Sequence, residues 1–169
     1  MHEMTGAGKI VEGPTDRDAL IDAVLGASRA LVAVAARSLA DLAEDVTLPQ
    51  YRALVELAAR GPQRPADLAS ALGVDPSTAT RMCDRLVRKQ LVQRRRISAD
   101  RRGVRISLTP AGRTLVEEVT RRRRVEIAKI LRRMPRADRA SALLALRVFA
   151  DAAGEVPEQD WSLGWGQEQ

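Results

Sequence analysis

The sequence predicts a mainly α-helical fold with one small β-hairpin. Apolar residues recur at the three- and four-residue spacing of helices along most of the 169 residues. This spacing changes to alternation of apolar and polar residues only between Val92 and Leu108, where two short antiparallel strands are expected. Apolar residues make up 45% of the chain and aromatic residues 2%, so alanine, leucine and valine have to form the core, which suits closely packed helices.

The N-terminal part is predicted to hold a loose segment and one long helix. Residues 1–14 are glycine-rich and without pattern, and we expect them to be flexible. Thr15, followed by two aspartates in the first turn, is typical of a helix start, because negative charge is stabilised at the amino end of a helix. The helical spacing continues to about Ala43, and residues 15–46 are assigned to this helix and its connection.

Three shorter helices are predicted in the centre of the chain. The second helix spans about 47–60 and the third about 65–72. Gly73 supplies the left-handed residue that ends the third helix. Asp75 is expected to cap the fourth helix, with Pro76 at its first position.

The fourth helix has one apolar face and one polar, basic face. A buried stripe is predicted by apolar residues at i, i+3, i+4, i+7 and i+8, namely Ala79, Met82, Cys83, Leu86 and Val87. The residues expected to point away from the core are Ser77, Thr78, Arg81, Asp84, Arg85 and Arg88. Asp84 is expected to orient Arg81 or Arg88 across one helical turn.

Two strands, two helices and a tail complete the prediction. The segments are a strand over about 92–97, a loop over 98–102, a strand over 103–108, a helix from Thr109-Pro110 to Met134-Pro135 and a helix over about 137–153. The C-terminal helices therefore occupy 110–154. Residues 155–169 form a tail with Trp161 and Trp165, whose placement the sequence leaves open.

Positive charge is concentrated in one segment. The chain has a net charge of +6, but residues 77–105 alone contain ten basic and two acidic residues, a net +8. Such concentration is typical of a surface that binds a polyanion such as DNA. The alternative is a solvated arginine surface without a partner.

The composition argues against an enzyme. Cys83 is the only cysteine and His2 the only histidine, which excludes an internal disulfide, a zinc site built from Cys and His, and Ser-His-Asp or Cys-His catalysis. Carboxylate chemistry is not excluded, but no paired-carboxylate motif stands out. We therefore expect no catalytic residue, no metal and no cofactor.

The sequence also predicts a cytoplasmic protein without a membrane partner. The N-terminus has no basic-then-apolar signal pattern. The longest apolar-rich stretch, residues 30–36, is too short to cross a bilayer.

The central motifs resemble the multiple-antibiotic-resistance regulator (MarR) family. The residues that carry the resemblance are Leu48-Pro49-Gln50-Tyr51, Asp67-Leu68-Ala69, Leu72-Gly73-Val74, Ser77-Thr78-Ala79-Thr80-Arg81, Asp84-Arg85-Leu86, Leu91-Val92-Gln93-Arg94, Asp100-Arg101-Arg102 and Leu108-Thr109-Pro110-Ala111-Gly112. Their order and spacing, rather than any single motif, make the resemblance specific. One departure is Gln90, where the family usually has glycine. The end of the fourth helix must therefore make its turn without glycine, at a modest cost in free energy.

The resemblance implies a winged helix-turn-helix DNA-binding domain over 47–109. It also implies a homodimer formed by the terminal helices, 15–46 and 110–154, although an ordinary intramolecular bundle is an alternative. The implied function is a transcriptional regulator, expected to be a ligand-responsive repressor that binds an inverted-repeat operator in double-stranded DNA. The alternative is a non-specific architectural nucleic-acid-binding protein; the operator, the regulated genes and the sign of regulation are not determined by the sequence.

The expected DNA contacts come from the fourth helix and from the hairpin. The candidates are Ser77, Thr78, Arg81, Arg85, Arg88, Arg95, Asp100, Arg101 and Arg102. Arg81 is the first candidate for a base contact and Arg85 the second, since arginine reads guanine well in the major groove. Ser77, Thr78 and Arg88 are expected at phosphates. By the resemblance, Arg102 enters the minor groove and Asp100 holds it.

The resemblance also implies that a small molecule regulates DNA binding. Family members often release DNA when a small aromatic or phenolic ligand binds between the dimer helices and the DNA-binding lobe. Tyr51 is the candidate ligand residue, with a plain core position as the alternative. Cys83 falls on the buried face of its helix, so a packed, unreactive thiol is expected rather than a redox sensor.

Overall fold

A computed structural model describes residues 16–43, 45–96 and 103–161. Its elements are α1 (Asp16–Ala40), α2 (Leu48–Arg60), α3 (Pro65–Leu72), α4 (Pro76–Arg88), β1 (Val92–Arg96), β2 (Val104–Leu108), α5 (Pro110–Arg133), α6 (Arg136–Ala152) and a 3₁₀ turn, Glu158–Asp160. The predicted mainly helical fold with one hairpin is confirmed. The first helix ends at Ala40 rather than near Ala43.

The chain divides into two compact units, residues 1–33 and 34–169. In the first unit, the described part of α1 exposes large apolar side chains: Leu20, Ile21, Leu25, Leu31 and Val32. The whole of α1 is long and apolar enough to cross a bilayer, which corrects the expectation that no segment reaches that length. Length and composition are weak evidence for a membrane span, because helices of soluble proteins also meet both conditions.

The core of the second unit is formed around α2. Eight of the thirteen residues of α2 are buried, and Leu54 is fully enclosed. The helix begins at Thr47, whose hydroxyl accepts a hydrogen bond from the backbone of Gln50 while the Gln50 side chain accepts one from Thr47. This reciprocal cap satisfies two amide groups that the helix leaves free. Buried residues from other elements that belong to the same core include Leu68, Leu86, Ile106, Val116 and Val119.

A tight turn joins α3 to α4. Gly73 adopts the left-handed conformation, with φ 63° and ψ 35°, as the sequence predicts. Asp75 occupies the N-cap position of α4 in an extended conformation, but its side chain makes no capping hydrogen bond, which corrects the expected role. Pro76 follows at the first helical position, where its fixed φ suits a helix and its missing N–H costs nothing.

The hairpin lies against the helical core through one face. Antiparallel pairing runs from Val92 opposite Leu108 to Arg96 opposite Val104. Ile106 also exchanges two backbone hydrogen bonds with Gln63, at 2.7 and 3.0 Å, which extends the sheet by one bridge. Val92, Ile106 and Leu108 are buried in the core, while Arg94, Arg95 and Arg105 remain exposed.

The base of the hairpin depends on two backbone features. Gln90 is left-handed, with φ 58°, at the position where the sequence departs from glycine. The Thr109 hydroxyl donates to the Gln90 carbonyl at 2.6 Å and accepts from the Gly112 amide at 3.1 Å. Gly112 lies so close to Leu91 that a Cβ there would be 2.0 Å from the Leu91 carbonyl oxygen.

The C-terminal helices leave much apolar surface uncovered. No residue of α6 is buried, so α6 is not an inner helix of a bundle in this unit. The exposed large apolar residues of α5 and α6 are Val125, Ile130, Leu131, Leu143, Leu144, Leu146, Val148 and Phe149. Beyond α6 the chain returns to the core, where Trp161 is partly buried; Trp165 lies outside the described residues.

Candidate nucleic-acid interface

The recognition surface is built on α4, whose two faces differ as the sequence predicts. Ala79, Cys83 and Leu86 are fully buried against the core, while Met82 and Val87 are partly buried. This burial fixes the rotation of the helix about its axis. The residues on the opposite side are therefore held toward solvent.

The expected contact residues of α4 lie together on that outer face. Ser77, Arg81, Arg85 and Arg88 are exposed and Thr78 is partly buried. A guanidinium nitrogen of Arg81 lies 3.4 Å from the Thr78 hydroxyl oxygen, a weak contact that a base edge or a phosphate can replace. The side chains of Arg85 and Arg88 have no hydrogen bond or ion pair within residues 16–43, 45–96 and 103–161.

Asp84 has a different partner from the one the sequence suggests. Its carboxylate forms an ion pair with Arg94 of β1, not with Arg81 or Arg88. The expected i±3 or i±4 pair is therefore wrong, because β1 brings an arginine to the edge of α4. This pair leaves Arg81 and Arg88 free of a carboxylate partner on their own helix.

The hairpin contributes a second basic surface. Arg95 is exposed and lies opposite Arg105 in the ladder. A guanidinium nitrogen of Arg105 donates to the Pro62 carbonyl at 3.2 Å, which holds that exposed side chain against the connection between α2 and α3. Three candidates at the tip of the hairpin, Asp100, Arg101 and Arg102, lie outside the described residues.

The chemistry of the described residues does not favour metal binding or a reactive thiol. No group of three or more His, Cys, Asp or Glu side chains converges in the described ranges. Cys83 is fully buried, and burial raises the pKa of its thiol. A protonated thiol inside the core is a poor nucleophile, which agrees with the packed role expected from the sequence.

Tyr51 belongs to the core, and a separate cavity lies at a different place in the second unit. The Tyr51 side chain is buried, and its hydroxyl has no hydrogen-bond partner among the described residues. A cavity of about 410 Å³ has walls from the end of α1 and from α5, formed by Arg37, Ser38, Asp41, Arg121, Arg122, Val125 and Glu126. Ser38 is buried, and its hydroxyl finds no hydrogen-bond partner in the part of the chain that the structure describes. No sequence motif signals these residues, because they meet only when the two helices pack.

The helix-turn-helix, the basic hairpin and the exposed arginines of α4 define a winged helix-turn-helix DNA-binding protein. The MarR family model matches residues 46–104. The HTH-type transcriptional repressor MdtR of Bacillus subtilis is 31% identical over 123 residues, which cover 73% of this chain and 79% of MdtR.

Solved structures agree with this match. The crystal structure of RV1404 from Mycobacterium tuberculosis has a TM-score of 0.79 and 43% identity, covering 86% of this chain and 99% of RV1404. Apo wild-type MarR from E. coli has a TM-score of 0.65 and 27% identity, covering 82% and 98% of the two chains. The chain belongs to the MarR family, and it is a DNA-binding transcriptional regulator rather than an enzyme.

Proposed function

We propose that this protein is a homodimeric, sequence-specific repressor that binds an inverted-repeat operator and releases it when a small ligand binds. We place it in the cytoplasm, where regulators of this family typically act. The observation that carries the proposal is the outer face of α4. There, three exposed arginines share a helix whose opposite side is locked into the core.

The proposed docking places α4 in the major groove. Arg81 reads a base edge, with Arg85 as the second reader, because a guanidinium donates two hydrogen bonds to guanine. Ser77 and Thr78 lie at the amino end of the helix, where hydroxyls and free N–H groups suit a phosphate. Arg88 binds a phosphate further along.

The hairpin binds beside the groove. Arg95 contacts a phosphate, and the tip inserts Arg102 into the minor groove, with Asp100 holding its guanidinium and Arg101 near the backbone. Narrow minor grooves at A·T-rich sequence attract arginine through their enhanced negative potential. These roles of Asp100, Arg101 and Arg102 are the ones that the family resemblance implies.

The proposed dimer covers the exposed apolar residues of the terminal helices. Leu20, Leu25 and Leu31 of α1 and Leu143 and Phe149 of α6 are each at least 40% exposed in the single chain. A monomer with this much accessible apolar surface is unfavourable in water. Two-fold pairing of these helices removes it and places two α4 helices about one helical turn of DNA apart.

Two features of the second unit support the proposed ligand release. Tyr51 remains the candidate from sequence, with a buried hydroxyl that has no partner within the described ranges. The α1–α5 cavity offers room for a small aromatic or phenolic ligand. Both lie in the second unit, which also contains the DNA-binding elements.

DNA binding by variants of Arg81 tests the docking. The operator is first located by footprinting on the DNA upstream of the protein's own gene. We expect Arg81→Ala to weaken operator binding by roughly 1–3 kcal/mol and to relax base preference at one position in each half-site. Arg81→Lys keeps the charge but loses bidentate geometry, so it should retain non-specific affinity and lose the same base preference.

Arg136→Ala is the matched control, since Arg136 is an exposed arginine at the start of α6, outside the helix-turn-helix. Its operator affinity should match that of the wild type. Equal binding of Arg81→Ala and wild type would reject the docking. Equal affinity of the wild-type protein for operator and random duplex at fixed salt would favour the non-specific architectural alternative.

A further inference from the structure

The segment after α6 connects a helix without buried residues to the DNA-binding core, by which we mean α2, α3, α4 and the hairpin. We name residues 153–161 the C-terminal strap. Because no residue of α6 is buried, its own side chains do little to fix its position against the core. The contacts of the strap therefore carry much of the connection between the far end of α6 and the rest of the second unit.

The first anchor of the strap lies on α2. Arg52 forms a two-point ion pair with Glu155, in which both guanidinium NH₂ groups donate to the carboxylate. Arg60 donates to the Gly154 carbonyl at 2.7 Å. Arg60 is itself oriented by Glu56, a buried carboxylate whose oxygen accepts from Arg60 Nε at 2.6 Å.

The second anchor lies on α5 and the core. Arg124 of α5 pairs with Glu158, with an N–O distance of 2.9 Å. Trp161 packs partly buried against the core, and its indole N–H donates to the Val156 carbonyl at 2.9 Å. The strap therefore runs from α2 to α5 and is attached at both ends.

The geometry of these contacts specifies position more than it adds stability. Exposed ion pairs contribute little individually, because water screens them. A planar guanidinium facing a carboxylate nevertheless permits one relative orientation, since both N–H···O bonds have to form together. The end of α6 is thus held at one place on α2, which is the helix at the centre of the DNA-binding core.

We propose that the C-terminal strap determines which half-site spacing the protein accepts. The inference rests on the proposed dimer, in which α6 belongs to the dimerisation surface. If α6 is shared between two copies, the Arg52–Glu155 and Arg60–Gly154 contacts fix each DNA-binding core relative to the two-fold axis. A fixed core presents its α4 at one distance from the other α4, so only one operator spacing allows both to bind without strain.

Charge reversal of the Arg52–Glu155 pair tests this inference. The DNA is an operator selected from a random duplex library, with variants whose central spacer is one or two base pairs longer or shorter, and an isolated half-site. Arg52→Glu and Glu155→Arg should each weaken binding to the optimal spacing roughly fivefold or more, because a loosened second core loses effective concentration at its half-site. The preference for the optimal spacer over the altered ones should fall in the same variants.

Three comparisons separate positioning from simple destabilisation. Binding to the isolated half-site should be unchanged in both single variants, because each core is intact. The double variant R52E/E155R should restore the spacing preference. Arg136→Glu, the matched charge reversal outside the strap, should keep it. If a reversed variant does not fold, Glu155→Gln replaces it, since it removes the charge without adding repulsion.

The outcomes distinguish the two proposals. A wild-type protein that binds no inverted repeat, or sediments as a monomer, rejects the proposed function. A wild-type dimer whose spacing preference is unchanged in both single variants overturns the role of the strap. Equal losses on every duplex, including the half-site, without rescue in the double variant also overturn it.

Discussion

Asp84 on α4 forms an ion pair with Arg94 on β1, the first strand of the hairpin. The helix and the hairpin are thus joined by side chains as well as by the chain between them. Both side chains are nearly half exposed, at 46% and 45%, so the pair is accessible from the surface that carries Arg81 and Arg85. Neutralising Asp84 frees a cation and removes the one acidic side chain of α4.

Asp84→Asn should therefore increase non-specific DNA binding. We expect the salt dependence of binding to random duplex to become steeper by about one counterion, because Arg94 becomes free to contact a phosphate. The loss of folding stability should be below about 1 kcal/mol, as is usual for exposed pairs. Fluorescence anisotropy across a salt series measures the slope. Asp138→Asn on α6 removes an equal charge away from this surface, and the same slope change in that variant would contradict the assignment.

Gln90→Gly should stabilise the protein. Gln90 has φ 58°, a conformation that costs a side-chain-bearing residue about 1 kcal/mol relative to glycine. The Thr109 hydroxyl donates to the backbone carbonyl of residue 90, so this hydrogen bond does not need the Gln90 side chain and remains available. Urea denaturation should show a higher midpoint with an unchanged slope. Gln90→Ala keeps a Cβ and should not stabilise; equal gains in both variants would exclude backbone strain as the cause.

Gly112→Ala should strongly destabilise the protein. The new Cβ would lie 2.0 Å from the Leu91 carbonyl oxygen, and both atoms belong to rigid backbone segments. Separating α5 from the base of the hairpin should cost roughly 3 kcal/mol. Gly26→Ala is the contrast, because the nearest atom to its Cβ is 3.8 Å away and belongs to the tip of Arg29. That variant should gain about 1 kcal/mol of stability from helix propensity. Thermal unfolding of both variants measures the two effects, and an unchanged Tm in Gly112→Ala would contradict the close packing of Gly112 on Leu91.

The pH dependence of stability should show the contribution of Glu118. The hydrogen bond from Arg121, with a second from Arg122, lowers the pKa of the Glu118 carboxyl to about 2. A pKa below the unfolded value of 4.5 means that the charged form favours folding. This contribution is present above about pH 4.5 and is lost as the pH falls toward 2.

Thermal unfolding of Glu118→Gln and wild type, measured between about pH 6 and pH 2, checks this expectation. The difference in Tm should be largest near pH 6 and should shrink in acid, when the wild-type carboxyl also becomes neutral. Glu117→Gln controls for the loss of a neighbouring carboxylate. A Tm difference that stays constant down to pH 2 would mean that Glu118 stabilises the fold without its charge.

Local signals in the sequence predicted most of the fold. Thr47 and Thr109 precede proline-containing first turns, and both side chains cap their helices. Gly73 ends α3 in the left-handed conformation that few other residues adopt without cost. The apolar spacing on α4 correctly separated the buried Cys83 from the exposed Arg81, because a helix places residues three and four apart on one side.

The sequence by itself determined the helices, the hairpin and the basic face of α4, because capping, turn residues and apolar periodicity act between neighbours along the chain. Tertiary structure alone decided that Asp84 pairs with Arg94 rather than with its own helix, that Asp75 makes no side-chain cap, and that Glu155 returns to Arg52. These contacts join residues from different elements, or depend on how the flanking elements place a side chain. Their geometry follows from packing, which no local spacing records.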